Sequence, residues 1–210
     1  MPRQKKAHSD EPRRPTARGA VTRARIVEAA ADLVYRRGAS GTSLEDIMAA
    51  SATSKSQVYH YFADKDGLMR AVIELQTRRV TGDHAARLKA VDSLEGLRRW
   101  AAGVIAMNKA ASAVGGCPLG SLASELADRS ESAREMLALA FARWESHLAS
   151  ALRTMRERGE LKREARPEDL ATTMIAALEG GLLLAQTTRR TRPLELALDM
   201  AIEHVARSCV

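Results

Sequence analysis

Thr42-Ser43-Leu44-Glu45-Asp46-Ile47 and, after residues 50–53, Ser54-Lys55-Ser56-Gln57-Val58-Tyr59-His60-Tyr61-Phe62 carry the decisive pattern of this 210-residue chain. Thr42 followed three residues later by Glu45 has the form of a capping box. It predicts a short helix whose Leu44, Ile47 and Met48 face inward. Ser54 with Gln57 repeats the signal and starts another short helix through Phe62. Val58 and Phe62 lie four apart and point inward, which leaves Lys55, Ser56, Gln57, Tyr59 and His60 on the outer side. Ahead of both, Ile26, Val27, Ala30, Leu33 and Val34 recur at helical spacing, and Arg36, Arg37 and Gly38 supply stop signals. A longer helix followed by two short ones, the second polar on one side, describes a helix-turn-helix whose last helix enters the major groove of DNA.

Charge distribution points the same way. The net charge is +7, and residues 1–80 hold fifteen Lys/Arg against nine Asp/Glu, so nearly all of the excess sits in that segment. Within it, residues 1–21 carry +4 and residues 22–80 carry +2. Four of the seven aromatics, Tyr35, Tyr59, Tyr61 and Phe62, lie there too, which favours a polyanionic partner. Residues 1–21 hold Pro2, Pro12 and Pro15 and almost nothing apolar, and are expected to form a disordered basic arm that adds sequence-blind affinity.

Downstream, Asp64 caps a fourth helix near Lys65, Asp92 with Glu95 opens a fifth, Pro118 starts a sixth, and Ser132 with Glu135 begins a long one ended by Gly159. Pro167 and Pro193 open the last two. The expected fold is all-α, with about nine helices and no strand. The longest uncharged stretch, residues 110–124, is interrupted by Gly115, Gly116, Pro118 and Gly120, so no membrane span is expected. The N-terminus has no secretory pattern, and two cysteines make neither a disulfide framework nor a zinc site, which fits the cytoplasm. His8, His60, His84, His147 and His204 are scattered, and no nucleophile, phosphate-loop or metalloprotease motif occurs. Neither an enzyme nor a cofactor or metal requirement is expected.

The stretch from Thr22 to Leu68, including Asp64-Lys65-Asp66-Gly67-Leu68, resembles the TetR family of one-component transcriptional repressors. The resemblance divides the chain into the arm (1–21), a helix-turn-helix DNA-binding domain (22–68) and a helical ligand-binding and dimerisation domain (69–210). It implies that Lys55, Ser56, Gln57 and Tyr59 approach base edges. It also implies that Thr42, Ser43, Tyr59, His60, Tyr61 and Lys65 contact phosphates of a double-stranded operator. The residue types suit those roles: hydroxyls and cations for phosphate, Gln for adenine, Lys for guanine. Gln57 is claimed by two roles, cap and base reader. Ala52 and Ser56 depart from glycines common in the family, and a left-handed Ala52 costs about 1–2 kcal/mol.

In the larger domain the resemblance implies a cavity for a small apolar or aromatic effector. Trp100, Val104 and Met107 share one stripe and Phe141, Trp144 and His147 another, with Asn108 and His147 as polar handles and Cys117, Met174 and Leu178 completing the expected lining. Residues 115–122 look like a subset of the family. Cys117, before Pro118 at a helix start, is either a packing residue or a thiol poised as a thiolate. The resemblance implies a homodimer through the last two helices, whose apolar side carries Leu182, Leu194, Leu198, Ile202 and Val205, with Gly180 and Gly181 permitting close approach. A helical enzyme and an architectural DNA binder are the competing classes.

Overall fold

The computed structural model describes residues 16–210, which form nine α-helices and, apart from one isolated bridge between Leu161 and Cys209, no β-structure. Helix α1 spans Ala17–Arg37, α2 Leu44–Ser51, α3 Lys55–Tyr61 and α4 Lys65–Leu88. The remainder are α5 (Leu94–Ala110), α6 (Pro118–Leu126), α7 (Glu131–Glu157), α8 (Pro167–Thr188) and α9 (Arg192–Ala206).

Local chemistry sets most of the boundaries, with small shifts from the sequence reading. Helix α1 starts five residues before Thr22, because the Thr16 hydroxyl accepts from the Gly19 amide. Residues 17–21 are therefore helix and not arm, and the rest of the expected arm, residues 1–15, lies outside the described residues. The capping box of α2 is Ser43 with Asp46, not Thr42 with Glu45. Thr42 is diverted because its hydroxyl closes the preceding turn on the Gly38 carbonyl at 2.8 Å. Ser54 and Gln57 form the expected reciprocal cap of α3, and Asp64 caps α4. Ser93 and Ser130 displace the expected Asp92 and Ser132 as caps of α5 and α7, their hydroxyls accepting from the third amide beyond.

The head packs Ile26, Val27, Ala30, Ala31 and Val34 of α1 against Ile47, Val58, Phe62, Leu68 and Val72, all buried. Helix α4 leaves this head and continues into the body, where it packs on α5, α6 and α7. Helices α8 and α9 pack on each other at the far side. Their close approach depends on Gly181, where a Cβ would lie 2.9 Å from the Leu194 Cα. By length and composition α8 alone among the described helices is apolar enough to cross a membrane. Its apolar residues divide between a core face (Leu170, Met174, Ile175, Leu178) and an outer face (Leu183, Leu184). A helix apolar on two sides has two apolar neighbours to satisfy.

The turn between α2 and α3 places Ala52 at φ 48°, ψ 48°, the left-handed conformation. Ala52→Gly removes the Cβ clash but adds chain entropy to the unfolded state, so it is expected to stabilise by about 0.5–1 kcal/mol, read as a higher urea midpoint at unchanged m-value.

Candidate DNA-reading face and effector cavity

On α3, Val58 and Phe62 are 2% and 5% exposed, while Lys55, Ser56, Gln57, Tyr59 and His60 face solvent. The Lys55 ammonium lies 6.0 Å from the centre of the Tyr59 ring, a cation–π pair that stiffens both side chains at the surface. Gln57 Oε1 accepts from the Ser54 amide at 2.9 Å, so the capping role holds its oxygen and leaves its amide protons outward. The Ser56 and Ser54 hydroxyls are 3.0 Å apart. Ser43 is exposed at the start of α2, its hydroxyl shared with Asp46. Tyr61 is half-buried, its ring lying along Gly19 of α1.

Two of the expected phosphate contacts are redirected. Thr42 is 1% exposed, so its hydroxyl does not reach the surface. Lys65 donates through Nζ to the carbonyls of Ala39 (3.2 Å) and Thr42 (2.8 Å), which commits two of its three protons to the loop between α1 and α2. The same loop is held from the other side by α6. Glu125 Oε1 accepts from the Ala39 amide at 3.1 Å and Oε2 from the Ser40 amide at 2.9 Å, while Arg129 donates to the Ser40 hydroxyl at 3.0 Å. Gly38 makes the approach possible: its φ is +79°, and a Cβ there would sit 2.7 Å from Glu125 Oε1. Sequence reading missed Glu125 because nothing local distinguishes it from a solvated carboxylate.

Two of the cavities in the body adjoin each other. One of about 370 Å3 is bounded by α4, α5, α7, α8 and the start of α6, and its lining includes Gln76, His84, Asn108, Cys117, Trp144 and Leu178. Of the expected lining, Val104, Met107, Asn108, Cys117, Trp144 and Leu178 meet here. Trp100 packs behind them, with its ring 5.8 Å from that of His84. Met174 is fully buried core, His147 lines neither cavity, and Phe141 lines the second, larger cavity of about 810 Å3 between α1, α6, α7 and α8. Tyr35, Cys117 and Leu182 stand between the two and line both.

Burial sets the ionisation of this region. His84 is held down to about 4, chiefly by burial, with Arg87 adding to the effect and Asp83 opposing it. The Cys117 thiol is pushed well above its usual range, first by burial and then by the Glu179 carboxylate. Of the two alternatives for Cys117, this supports the packing residue over the thiolate: the sulfur acts as a cap, 3.5 Å from the Gly120 amide. Glu179 is itself raised by burial.

Residues 26–72 match the family described as bacterial regulatory proteins, tetR family, and residues 93–201 match the tetracyclin repressor-like C-terminal domain. The chain belongs to the TetR family of transcriptional regulators. An uncharacterised helix-turn-helix regulator from the lacX 3' region of Lactococcus lactis is 30% identical over 184 residues, covering 85% of this chain and 90% of its own. The repressor DhaR of a Mycobacterium species is 25% identical over 183 residues, 86% of this chain and 90% of its own. A TetR-family regulator from Cytophaga hutchinsonii shares the fold, with a TM-score of 0.81 at 23% identity over 93% of this chain and 98% of that one. The protein is thus a DNA-binding regulator and not an enzyme.

For this TetR-family member the expected dimer residues need correction. Leu194, Leu198, Ile202 and Val205 are buried within the chain, on the side of α9 that meets α8 and α5. The strongest apolar stripe of α9 closes the protein's own core. The apolar side chains left outside are Leu183, Leu184, Leu196 and Met200, between 52% and 64% exposed, with Gly180 bare beside them.

The buried neutral His84 has a pH consequence. Between about pH 6.5 and 4 the unfolded chain binds a proton that the folded chain refuses, so stability falls as pH falls through that window, by about 3 kcal/mol at pH 4. His84→Gln is expected to flatten this part of the pH–stability curve whatever its effect on absolute stability, as read by urea midpoints at fixed ionic strength.

Proposed function

We propose that this TetR-family regulator is a cytoplasmic repressor that occupies a pseudo-palindromic operator as a homodimer and is released by a small-molecule effector. The observation that carries the reading is the α3 surface: a cation, two aromatic rings and amide protons face outward on a helix whose other side is anchored by Val58 and Phe62. Lys55, Ser56, Gln57 and Tyr59 are assigned to base edges. Ser43, Tyr59, His60 and Tyr61 are assigned to phosphates, with Lys65 acting mainly as the brace of the loop behind them.

One short recognition helix covers few base pairs, so specificity requires two in register on successive major-groove turns. The second copy is assigned to the outer face of α8 and α9, where Leu183, Leu184, Leu196 and Met200 are exposed together. The effector is assigned to the smaller cavity. Tyr35 belongs to α1 of the head and yet lines that cavity, and α6, which begins at its edge, grips the α1–α2 loop through Glu125. A ligand that favours one placement of α6 thereby favours one spacing of the two heads, and only its differential affinity for the two placements does work.

Footprinting on DNA upstream of the protein's own gene identifies the operator fragment, and titration at constant salt tests the rest. Tyr59→Ala is expected to weaken operator binding about tenfold, a loss of about 1.4 kcal/mol, at an unchanged melting temperature. Leu184→Glu is expected to yield a folded monomer by sedimentation at micromolar concentration and to abolish high-affinity binding. Unchanged operator affinity in both variants contradicts the proposal.

A further inference from the structure

The smaller cavity holds an unusual set of polar atoms. His84, Asn108 and Trp144 all line it, and each carries one buried polar atom, Nδ1, Oδ1 and Nε1 respectively, with no hydrogen-bond partner in the protein. The three residues are 8%, 8% and 1% exposed, and they come from α4, α5 and α7. His84 and Trp144 lie against each other, with ring centres 4.5 Å apart. Buried polar groups in folded proteins are nearly always paired, so three lining residues from three helices, each with an unpaired polar atom, bear on what the space is shaped to receive.

The chemistry of each atom limits the partner. The Trp144 indole N–H only donates, so it requires an acceptor on the ligand. The Asn108 amide accepts through Oδ1, and its NH2 group donates. His84 is neutral above about pH 4, so its imidazole adds a polar contact and no charge. Charged side chains of the lining are already answered: Arg79 pairs with Glu28 and Asp32 of α1, and Asp83 pairs with Arg87 at 3.2 Å. The Cys117 thiol stays protonated. Val80, Val104, Met107, Leu178 and the Trp144 ring make up the apolar walls. A charged ligand entering here sheds its hydration and meets no free counter-charge.

Resting on the assignment of this cavity to the effector, we infer that it selects an uncharged, largely apolar ring compound bearing a carbonyl-type hydrogen-bond acceptor, with the acceptor on the Trp144 N–H and Asn108 reading a second polar group. Carboxylates and ammonium compounds of the same shape are excluded.

A series with one shared ring tests this on the full-length wild-type protein by calorimetric titration without DNA: naphthalene, 2-acetylnaphthalene, 2-naphthoate and 2-naphthylmethylammonium. 2-Acetylnaphthalene is expected to bind about tenfold more tightly than naphthalene and than either ion, the discrimination of one buried hydrogen bond. Trp144→Phe is expected to erase its advantage over naphthalene. Equal binding of naphthalene and 2-acetylnaphthalene overturns the inference, since water then satisfies the polar atoms. Tighter binding of either ion overturns it too, as does selectivity that survives Trp144→Phe. The wild-type series decides the matter alone if that variant does not fold. Adding the operator fragment separates the two readings. Selective binding with unchanged operator affinity upholds this ligand class and refutes effector release, whereas release by 2-naphthoate upholds effector release and refutes this ligand class.

Discussion

The loop between α1 and α2, residues 38–43, holds the two halves of the protein together. The Glu125 carboxylate takes the amides of Ala39 and Ser40, the Lys65 ammonium takes the carbonyls of Ala39 and Thr42, and the Thr42 hydroxyl closes back on Gly38. Each bond to Glu125 or Lys65 is charge-assisted, and so is stronger than a bond between neutral groups. Lys65 starts α4 and Glu125 lies near the end of α6, so the loop ties the head to the two helices that border the cavities. The clamp fixes where α2 starts, because Ser43, the cap of α2, follows it directly, while Val58 and Phe62 seat α3 on the same head.

For the proposed effector, this arrangement offers a physical path from the smaller cavity to α3 without a long-range wire. Helix α6 starts at Cys117 and Pro118, in the wall of the smaller cavity, and ends two turns later at the residues that hold the loop. Proteins move packed elements between discrete placements and do not deform them continuously. A short helix with one end on the cavity and the other on the DNA-reading head is the element able to shift in that way.

The head was legible in the sequence because its determinants are local. Ser54 with Gln57 and Asp64 each act within one helical turn, as Pro118 and Pro167 do at helix starts in the body, and such signals survive without knowledge of the fold. Errors arose where two candidates competed for one job: Thr42 against Ser43, Asp92 against Ser93. The body was less legible because its determinants are tertiary. Period alone marked Leu194, Leu198, Ile202 and Val205 as an apolar face, but not whether that face meets its own chain or another, and the chain's own core takes it. His84, Glu179 and Glu125 carry no local mark at all. Their roles come from helices that meet only after folding, as with Cys117, where burial and Glu179 outweigh the helix start.

The clamp itself is tested most directly by hydrogen exchange of the Ala39 and Ser40 amides in the full-length protein and in Glu125→Ala, with helicity checked by circular dichroism. The account predicts slow exchange of both amides in the wild type. In the variant it predicts exchange at least about tenfold faster that spreads into α2 and α3 while α7 and α8 stay protected. Equal exchange in the two proteins, or acceleration confined to α6, would contradict the claim that this loop sets the position of the DNA-reading head.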